Sequence, residues 1–529
     1  MRYVLIILIF CCEVINAQVE DAWVYFTDKQ QVEFYMSRPE QMLSAKALQR
    51  RQKQNIPLDE HDIPISLEYI SQLKSFAQVE VLAKSKWLNA VHVRGEFLEL
   101  EKLKNLNAVN EVVFIDKSLQ NKSTGKQKNQ LKDKFETVEQ FSYGLSSNQI
   151  EMLGVQHLHQ AGFQGEGITI AVMDAGFPGV NYFAAFDSIR KNKQILGGYN
   201  FVDRNSNIYN RHPHGTSVLS TMGGFIKDTL DGTAPKANYY LFITEDYVQE
   251  HPIEESLWVE AAEYADSLGV DIINTSLGYS TFDNPNYNYT YSDLDGKTTF
   301  ISRGAEIAAS RGIVVVNSAG NEGNKSWTYI TVPADAPSVL TVGAVDSLGE
   351  LTNFSSIGPT ADGRIKPEVV AQGQTVVVVN GNGSSGVSSG TSFSSPLIAG
   401  AIACFWQLNL EKTGFEITEM VKASGNYSNN PNEFYGYGIP DFEKLFLEAI
   451  NEPPVENIQM YPNPVIDFLF VELPSQEIPS ELSVFSIFGQ KIVEQKITEE
   501  RTKVDLGFLN KGIYLVQLES KPSVKIIKN

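Results

Sequence analysis

The hydrophobic pattern divides the chain into a short apolar start and three longer regions of different character. Met1-Arg2 precedes an apolar run from Val4 to Cys12, and the small residue Ala17 ends the weakly polar stretch that follows. A positive start, a short apolar run and a small exit residue are typical of a secretory signal peptide, whereas a membrane anchor would need about 20 apolar residues. We therefore predict a signal peptide over residues 1–17 and export of the chain, with no membrane span elsewhere.

Residues 18–116 mix short strand patterns with amphipathic helical patterns. Alternating apolar residues predict strands at Trp23–Phe26 and Val112–Ile115, with helices and further strands between them. This order predicts a small α+β domain. Residues 117–142 follow as a polar, lysine-rich segment that offers little apolar surface to bury, which indicates an exposed linker.

Residues 143–450 change to near-continuous apolar runs separated by amphipathic helical patterns. Three such runs are Ile168–Met173, Asn238–Ile243 and Val270–Thr275. Strands that are apolar on both sides predict a mostly parallel sheet with helices on both faces, an α/β fold. Ligands of such sheets bind at the carboxyl ends of the strands, so we expect an active site there.

Residues 455–529 return to short alternating runs, among them Phe468–Leu473 and Ile513–Leu518, with glycine-containing turns. This pattern predicts a small antiparallel β-sandwich.

Composition and charge narrow the classes of function. The 529 residues are 42% hydrophobic and 20% charged, which suits several folded domains. The formal charge of −20 argues against nucleic acids and anionic membranes as partners, because both require a basic surface. Most of the acidic excess belongs to residues 143–450, with 16 basic and 33 acidic side chains. The resulting negative surface charge favours solubility and disfavours acidic substrates.

Cysteine usage excludes a disulfide scaffold. Cys11 and Cys12 lie in the predicted signal peptide, which leaves Cys404 as the single thiol of the exported chain. One thiol cannot form an intrachain disulfide, so packing has to stabilise the fold.

Four polar motifs of the central region carry candidate chemistry. Asp174 ends an apolar run, His214 is followed by Gly215, Asn321 lies in a glycine-rich loop, and Ser392 precedes an apolar helical segment that we expect to begin near Pro396. Each alone has an ordinary structural explanation. Together they provide a hydroxyl nucleophile, an imidazole base, a carboxylate that orients it and a donor for an oxyanion, as acyl transfer requires.

In the order Asp174, His214, Asn321 and Ser392, the chain closely resembles the subtilisin-like serine peptidases from about Phe163 to Pro396. The resemblance implies that Ser392 attacks the scissile carbonyl, that His214 is base and then acid, and that Asp174 orients the imidazole. Asn321 and the Ser392 backbone N–H would bind the oxyanion.

The resemblance extends to the segment Asp271–Gly278, which implies substrate binding by Ser276, Leu277 and Gly278. The chain departs from the family pattern at Ser217, where a second histidine is common, and at Phe393-Ser394-Ser395. It also carries a polar insertion over 280–299 that we expect to lengthen the rim of the cleft. None of these differences affects a catalytic atom.

The flanking domains have resemblances of their own. The N-terminal domain is similar to the inhibitory, folding-assisting propeptides of secreted subtilases, and the lysine-rich linker would be cut during maturation. The C-terminal region resembles the sorting domain of the type IX secretion system of Gram-negative bacteria, on Tyr461-Pro-Asn-Pro464 and Lys511–Tyr514. This implies a secreted or cell-surface protein exported through the periplasm. A β-sandwich binding module is the alternative for this region.

Two other classes of function compete with a secreted, propeptide-activated serine endopeptidase. A non-catalytic binding protein on the same scaffold would need a broken triad, and none is visible. A Ser-Glu-Asp acid peptidase of related fold is opposed by His214.

The implied partners are protein or peptide substrates, the chain's own propeptide and the secretion machinery. The chemistry requires no cofactor and no catalytic metal. Structural calcium is common in the family but has no located site here, since Asp283, Asp293 and Asp295 of the insertion are more typical of solvated loop acids.

Overall fold

A computed structural model of the protein describes residues 19–117, 143–451, 459–473, 478, 480–486, 491–518 and 524–528. The predicted signal peptide and the predicted linker after Lys117 lie outside these residues. The chain forms two compact units, which meet in sequence between Phe446 and Leu447. Within the described ranges, no helix has both the length and the apolar character needed to cross a membrane.

The N-terminal domain is a four-stranded antiparallel sheet with short helices, as the alternating patterns predict. The strands follow the order β2-β3-β1-β4 in the sheet, and α3 and α4 pack against it. Its elements are β1 (Val19–Phe26), α1 (Val32–Met36), α2 (Ala45–Lys53), α3 (Leu67–Lys74), β2 (Val79–Ser85), β3 (Ala90–Glu96), α4 (Phe97–Leu103) and β4 (Val109–Phe114).

Both faces of this sheet are buried, each in a different core. Along β1, Ala22, Val24 and Phe26 pack into the domain's own core, whereas Trp23 belongs to a second core shared with the central domain. This alternation follows from the two-residue period of a strand. The N-terminal domain therefore packs on the central domain through one face of its sheet.

The central domain alternates strands and helices, and together with the N-terminal domain it makes up the first compact unit. Its elements are α5 (Ser147–Glu151), α6 (Val155–Gln160), β5 (Thr169–Asp174), α7 (Asp187–Lys191), β6 (Ile195–Asn200), α8 (His214–Gly223), β7 (Phe225–Ile226), β8 (Leu230–Asp231), β9 (Asn238–Ile243), α9 (Ile253–Leu268), β10 (Ile272–Thr275), α10 (Phe300–Ser310), β11 (Val314–Ser318), β12 (Leu340–Val345), β13 (Val369–Gln372), β14 (Val376–Val379), β15 (Ser385–Ser388), α11 (Thr391–Leu408), α12 (Gly414–Ser424) and α13 (Phe442–Asn451), the last of which crosses the unit boundary.

Seven of these strands form one parallel sheet in the order β13-β12-β11-β10-β5-β9-β6. Every residue of β5, β10, β11, β12 and β13 is buried, because α8 packs with α11 and α9 packs with α10 to cover the sheet. The predicted α/β fold is confirmed. The expected start of the last long helix is wrong: α11 begins at Thr391, so Pro396 lies inside the helix rather than in its first turn.

The second unit consists of two small antiparallel sheets, which confirms the β-rich C-terminal region. One sheet has the order β16-β17-β20 and the other β19-β18-β21-β22. Alternate residues such as Leu482, Val484 and Val516 build its core. Its strands are β16 (Gln459–Tyr461), β17 (Phe468–Glu472), β18 (Ser480–Ser486), β19 (Lys491–Ile497), β20 (Arg501–Asp505), β21 (Gly512–Leu518) and β22 (Val524–Lys528).

Candidate active site

The four candidate residues lie at one edge of the parallel sheet. Asp174 is the last residue of β5, and Asn321 lies in the loop that follows β11. His214 is the first residue of α8, and Ser392 is the second residue of α11. Since β5, β10 and β11 are neighbours in a parallel sheet, their carboxyl ends meet at one edge, where these side chains gather.

His214 and Asp174 form a hydrogen-bonded pair. The Nδ1 atom of His214 lies 2.8 Å from the Oδ1 atom of Asp174, which also accepts the backbone N–H of Ala175 at 2.7 Å. The glycine after His214 makes this approach possible, because a β-carbon at Gly215 would lie 2.9 Å from the Asp174 Cβ.

The pKa of His214 is raised above its ordinary value of 6.5. Burial alone would lower this pKa, but the charge of Asp174 and the hydrogen bond to it favour the imidazolium and prevail. The pKa of neighbouring His212 is lowered, because burial and the nearby His214 both disfavour its charged form. A carboxylate that stabilises the protonated imidazole is what a general base needs when it takes up a proton.

The other oxygen of Asp174, Oδ2, is buried and accepts no hydrogen bond within the described ranges. Two further carboxyl groups of this region were not identified from the sequence. Glu245 receives a hydrogen bond from the Tyr279 hydroxyl and lies close enough to Asp174 for their charges to interact. Glu254 accepts the Asp246 backbone N–H at 2.7 Å, and its charge interacts with that of Glu245. Burial raises the pKa of both, and repulsion from neighbouring carboxylates adds to the shift. Burial and this repulsion both disfavour the charged forms of Glu245 and Glu254. Glu245 comes shortly after the end of β9, much as Asp174 ends β5. Its position at the end of a strand could therefore have identified it from the sequence.

Ser392 is held against the segment that the sequence assigned to substrate binding. Its hydroxyl donates to the Ser276 carbonyl at 3.1 Å, and the Ser276 hydroxyl donates back to the Ser392 carbonyl at 2.9 Å. In the part of the chain that the structure describes, no hydrogen bond joins Ser392 to His214, although the His214 ring lies 5.7 Å from that of Phe393. Catalytic hydrogen bonds are often formed only once substrate is bound.

Asn321 has a defined side-chain orientation. Its Oδ1 atom accepts the Thr391 backbone N–H at 2.9 Å and lies 3.2 Å from the Thr391 hydroxyl. The Nδ2 donor also lies near the start of α11, since a β-carbon at Gly390 would lie 3.5 Å from Nδ2 and 3.6 Å from Oδ1. When the protein already bonds to the oxygen of a side-chain amide, the N–H₂ group of that amide remains available to donate to another acceptor. Thr391, which holds the amide, was not identified from the sequence.

The segment Ser276–Gly278 continues the carboxyl end of β10. Ser276 is buried, whereas Leu277 and Gly278 are partly exposed, and the Asn317 amide donates to the Leu277 carbonyl at 3.2 Å. Tyr279 then pairs with Val332, through N–H···O distances of 2.9 and 3.0 Å. The segment thus continues β10 as extended backbone beside Ser392.

The family departures have structural explanations. The Ser217 hydroxyl donates to the Val379 carbonyl at 2.7 Å and so ties α8 to the β14 strand. Phe393 packs beside the His214 ring. Neither residue contacts Asp174 or Asn321 through a hydrogen bond within the described ranges.

The polar insertion over 280–299 contacts the N-terminal domain. Lys117 donates to Asp293 at 2.8 Å, and Asn286 donates to Asp116 at 2.9 Å. Asp295 accepts the N–H groups of Lys297 and Thr298. Asp283 accepts the Glu250 backbone N–H at 3.2 Å. All three acidic candidates for a cation are thus bonded to the protein itself, and the described residues include no cluster of three or more His, Cys, Asp or Glu side chains arranged to hold a metal.

Three family models match the chain in separate ranges. Residues 165–438 match the model described as subtilase family, and residues 21–133 match the peptidase S8 propeptide domain of Bacteroidota. Residues 459–529 match the secretion system C-terminal sorting domain.

Curated relatives and a solved structure are similar to part of the chain. Subtilisin NAT of Bacillus subtilis subsp. natto is 29% identical over 307 residues, which span 58% of this chain and 71% of that protein. Subtilisin from Bacillus pumilus is 28% identical over 293 residues, 55% of this chain and 94% of that protein. The crystal structure of MycP1 with its N-terminal propeptide removed is 22% identical, covers 58% of this chain and 98% of its own, and superimposes with a TM-score of 0.45.

Proposed function

Because the chain belongs to the subtilase family of serine endopeptidases, we propose that Asp174, His214 and Ser392 are its catalytic triad and that Asn321 completes the oxyanion site. The observation that carries this proposal is the 2.8 Å contact between His214 Nδ1 and Asp174 Oδ1 at the sheet edge where Ser392 also lies. The reaction is hydrolysis of peptide bonds in protein substrates.

The first half of the reaction forms an acyl-enzyme. As the Ser392 oxygen attacks the scissile carbonyl carbon, its proton passes to His214 Nε2, and the imidazolium is stabilised by Asp174. The negative charge moves to the carbonyl oxygen, where Asn321 Nδ2 and the Ser392 backbone N–H donate to it. When the tetrahedral intermediate collapses, the C–N bond breaks, and the amine leaves with the proton from His214. This leaves an ester on Ser392.

Water completes the cycle. His214 removes a proton from a water molecule, which attacks the ester, and the same proton then returns to the Ser392 oxygen as the C–O bond breaks. Since these groups supply nucleophile, base and oxyanion donors, the chemistry requires no cofactor.

We propose that the N-terminal domain inhibits the enzyme until it is cut off. Support comes from its contact with α9, where Glu263 accepts the backbone N–H of Trp87 at 2.9 Å and the Ser85 hydroxyl at 2.6 Å. Residues 116 and 117 then contact the polar insertion over 280–299. The chain that follows Lys117 is the proposed site of the maturation cut.

We propose further that the sorting domain directs the precursor to export through the periplasm to the medium or the cell surface. The matched family model over 459–529 supports this route. The proposed partners are therefore protein or peptide substrates, the propeptide and the secretion machinery. The acidic surface charge opposes binding to nucleic acid.

The catalytic proposal is tested by covalent labelling. A fluorophosphonate probe reacts with an activated serine, so we expect it to label mature protein on Ser392 and not to label Ser392→Ala. Peptide mapping of the labelled protein gives the site. A folded, mature sample that stays unlabelled contradicts the proposed triad.

The same variant tests self-maturation. If the enzyme cuts its own linker, Ser392→Ala accumulates as uncut precursor, which gel electrophoresis distinguishes by mass. Ser394→Ala is the matched control two residues away, since its hydroxyl bonds to the Thr391 carbonyl within α11 and has no part in the proposed reaction. Normal maturation of Ser392→Ala would instead assign the cut to another protease.

A further inference from the structure

Lys366 is a buried lysine that the proposed reaction does not use. Its side chain is only 1% exposed. It lies just before the amino end of β13, whereas Asp174, Asn321 and Ser392 gather at the carboxyl edge of the same parallel sheet. Lysine is almost never fully buried unless it is paired. This buried charge therefore has a role other than catalysis.

Four oxygen atoms surround the Lys366 Nζ atom, and we call them the oxygen cage. The loop before β12 supplies two of them, β12 supplies the third, and the residue before β13 supplies the fourth. They belong to the Ala336 carbonyl at 2.9 Å, the Val339 carbonyl at 2.7 Å, the Thr341 hydroxyl at 3.1 Å and the Glu368 carboxylate at 2.7 Å. The oxygen cage thus joins three parts of the chain.

Every atom of the oxygen cage acts as an acceptor. The Thr341 hydroxyl donates its own proton to the Ala334 carbonyl at 2.6 Å, so its oxygen accepts from Lys366. An ammonium has three N–H donors, whereas a neutral amine has a lone pair that would face an oxygen. The oxygen cage therefore fits the charged form. Burial lowers the pKa of Lys366, but the charge of Glu368 acts against this shift.

The oxygen cage is held in place by other hydrogen bonds. The Thr341 backbone N–H donates to the second Glu368 oxygen at 2.8 Å, and the Glu368 N–H donates to the Thr341 carbonyl at 3.0 Å. The Val339 N–H donates to the Ala336 carbonyl at 3.3 Å, which closes the loop before β12. These contacts position the oxygens independently of the Lys366 side chain.

The size and the charge of the oxygen cage match a monovalent cation. Its oxygens lie 2.7 to 3.1 Å from Nζ, whereas calcium takes oxygen ligands at about 2.3–2.6 Å. Glu368 brings one negative charge, which one positive charge balances, and a divalent ion would leave an unpaired charge in the interior. Carbonyl oxygens also replace the hydration shell of potassium ions in selective channels.

We propose that the oxygen cage is a monovalent-cation site whose resident cation is the Lys366 ammonium, and that it binds free ammonium or potassium ions when this side chain is removed. In the wild-type chain the cation is covalently attached, so dilution and chelators leave it in place. Its charge holds the loop before β12 against the start of β13. This inference goes beyond the proposed function, because it concerns the sheet edge opposite Ser392.

Removal of the attached cation tests the proposal through thermal unfolding. All chains carry Ser392→Ala to prevent self-digestion, and calorimetry follows the full-length protein in chloride salts of equal ionic strength. For Lys366→Ala, we expect Tm to rise by about 5 °C or more when choline is replaced by ammonium or potassium, since a ligand that binds only the folded state stabilises it. The chain that retains Lys366 should show no such rise.

Three controls locate the effect. Lys366→Met removes the charge but fills the space of the side chain, so its Tm should stay low in every salt. Addition of Glu368→Gln to Lys366→Ala removes the charge of the oxygen cage and should abolish the response to ammonium and potassium. Lys325→Ala removes a lysine whose side chain is 39% exposed, and its Tm should not respond to these ions.

Two results overturn the proposal. One is an equal Tm of Lys366→Ala in choline, ammonium and potassium chloride, and the other is a rise with calcium chloride but none with potassium chloride. If Lys366→Ala does not fold in choline chloride, its refolding yield decides: recovery in ammonium chloride supports the site, and equal loss in both salts overturns it. Fluorophosphonate labelling of the wild-type chain is a separate measurement, so either proposal can fail while the other stands.

Discussion

At the scale of single residues, Asp174 sets the electrostatics of the site. Its carboxylate is buried, bonds to His214 at 2.8 Å and raises the pKa of that imidazole. A buried charge acts through a medium of low polarity, so its effect on a neighbouring group is larger than at a surface. The pH dependence of the enzyme should therefore report on this pair.

The sign of that pH dependence follows from the proposed role of His214 as the general base. Only the neutral imidazole accepts a proton, so kcat/KM should rise with pH and reach half its maximum above pH 6.5, the ordinary pKa of histidine. In Asp174→Asn, we expect kcat to fall by about 10⁴-fold and the midpoint to move to lower pH, because the charge that raises the pKa is gone. Hydrolysis of one peptide across pH 5 to about 9 measures both effects.

His212→Asn is the control for this prediction. His212 lies two residues before His214, and burial together with the nearby His214 lowers its pKa. We expect this variant to retain the wild-type midpoint. A midpoint that does not respond to Asp174→Asn would argue against the assigned base.

At the scale of elements, helix α2 of the N-terminal domain makes buried ionic contacts with the central domain. Arg50 bonds to the Asp266 carboxylate and to the Val270 carbonyl, and Arg51 contacts Asp266 at 2.8 Å. Arg50, Arg51 and Asp266 are all buried. Buried ion pairs are costly to break, because the remaining charge loses its partner in a place that water does not reach.

Arg50→Ala should therefore weaken the binding of the propeptide to the central domain. Asp266 keeps its contact with Arg51 in this variant. We therefore expect the binding free energy of the cut propeptide to weaken by about 3 kcal/mol, which corresponds to roughly 100-fold faster dissociation of the cut propeptide. The rise of peptidase activity with time after the linker is cut, together with gel filtration of the complex, measures this rate. The mature enzyme should have unchanged kcat/KM, since the substituted residue leaves with the propeptide.

Lys53→Ala is the matched control in the same helix. Lys53 is exposed, and its substitution removes the same charge without breaking a buried contact. We expect its activation to follow the wild-type time course. Equal release from Arg50→Ala and Lys53→Ala would show that the α2 contact does not retain the propeptide.

At the scale of the whole molecule, the two compact units separate catalysis from targeting. All the proposed catalytic and substrate-contacting residues lie before Phe446, and the sorting domain lies after Leu447. The acidic excess is also uneven, since residues 143–450 carry 16 basic and 33 acidic side chains whereas residues 18–142 carry 18 of each. Charge and targeting are thus properties of different parts of the chain.

This separation predicts the effect of removing the C-terminal unit. In a host that has the secretion system, a chain that ends after Asn451 should remain inside the cell while the full-length chain is exported, as measured by fractionation and immunoblotting. The rate per fluorophosphonate-labelled site should be the same for both, because the site lies in the other unit.

A reporter protein with a signal peptide provides the complementary measurement. Fusion to residues 455–529 should export it, whereas the same reporter without this segment should stay behind. Retention of the fused reporter would contradict the sorting role.

The sequence alone determined the α/β class, the position of Asp174, His214, Asn321 and Ser392 at the carboxyl ends of strands or the starts of helices, and the resemblance of the flanking regions to a propeptide and a sorting domain. These features can be read directly along the chain, because strand periodicity and short motifs each involve only a few neighbouring residues, and the order of the motifs follows from their positions. The helix start at Thr391 was misjudged because Pro396 is tolerated inside α11.

Tertiary structure decided which groups touch. Arg50 meets Asp266, 216 residues away, and Gly278 meets Thr331 across two strands. Three further findings are of the same kind: the Asp174 Oδ2 atom, which has no hydrogen-bond partner among the residues that the structure describes, the orientation of the Asn321 amide by Thr391, and the contact of the insertion with residues 116 and 117. Such pairs have no signature in composition or spacing, because only the packing of the sheet, its helices and the N-terminal domain brings them together.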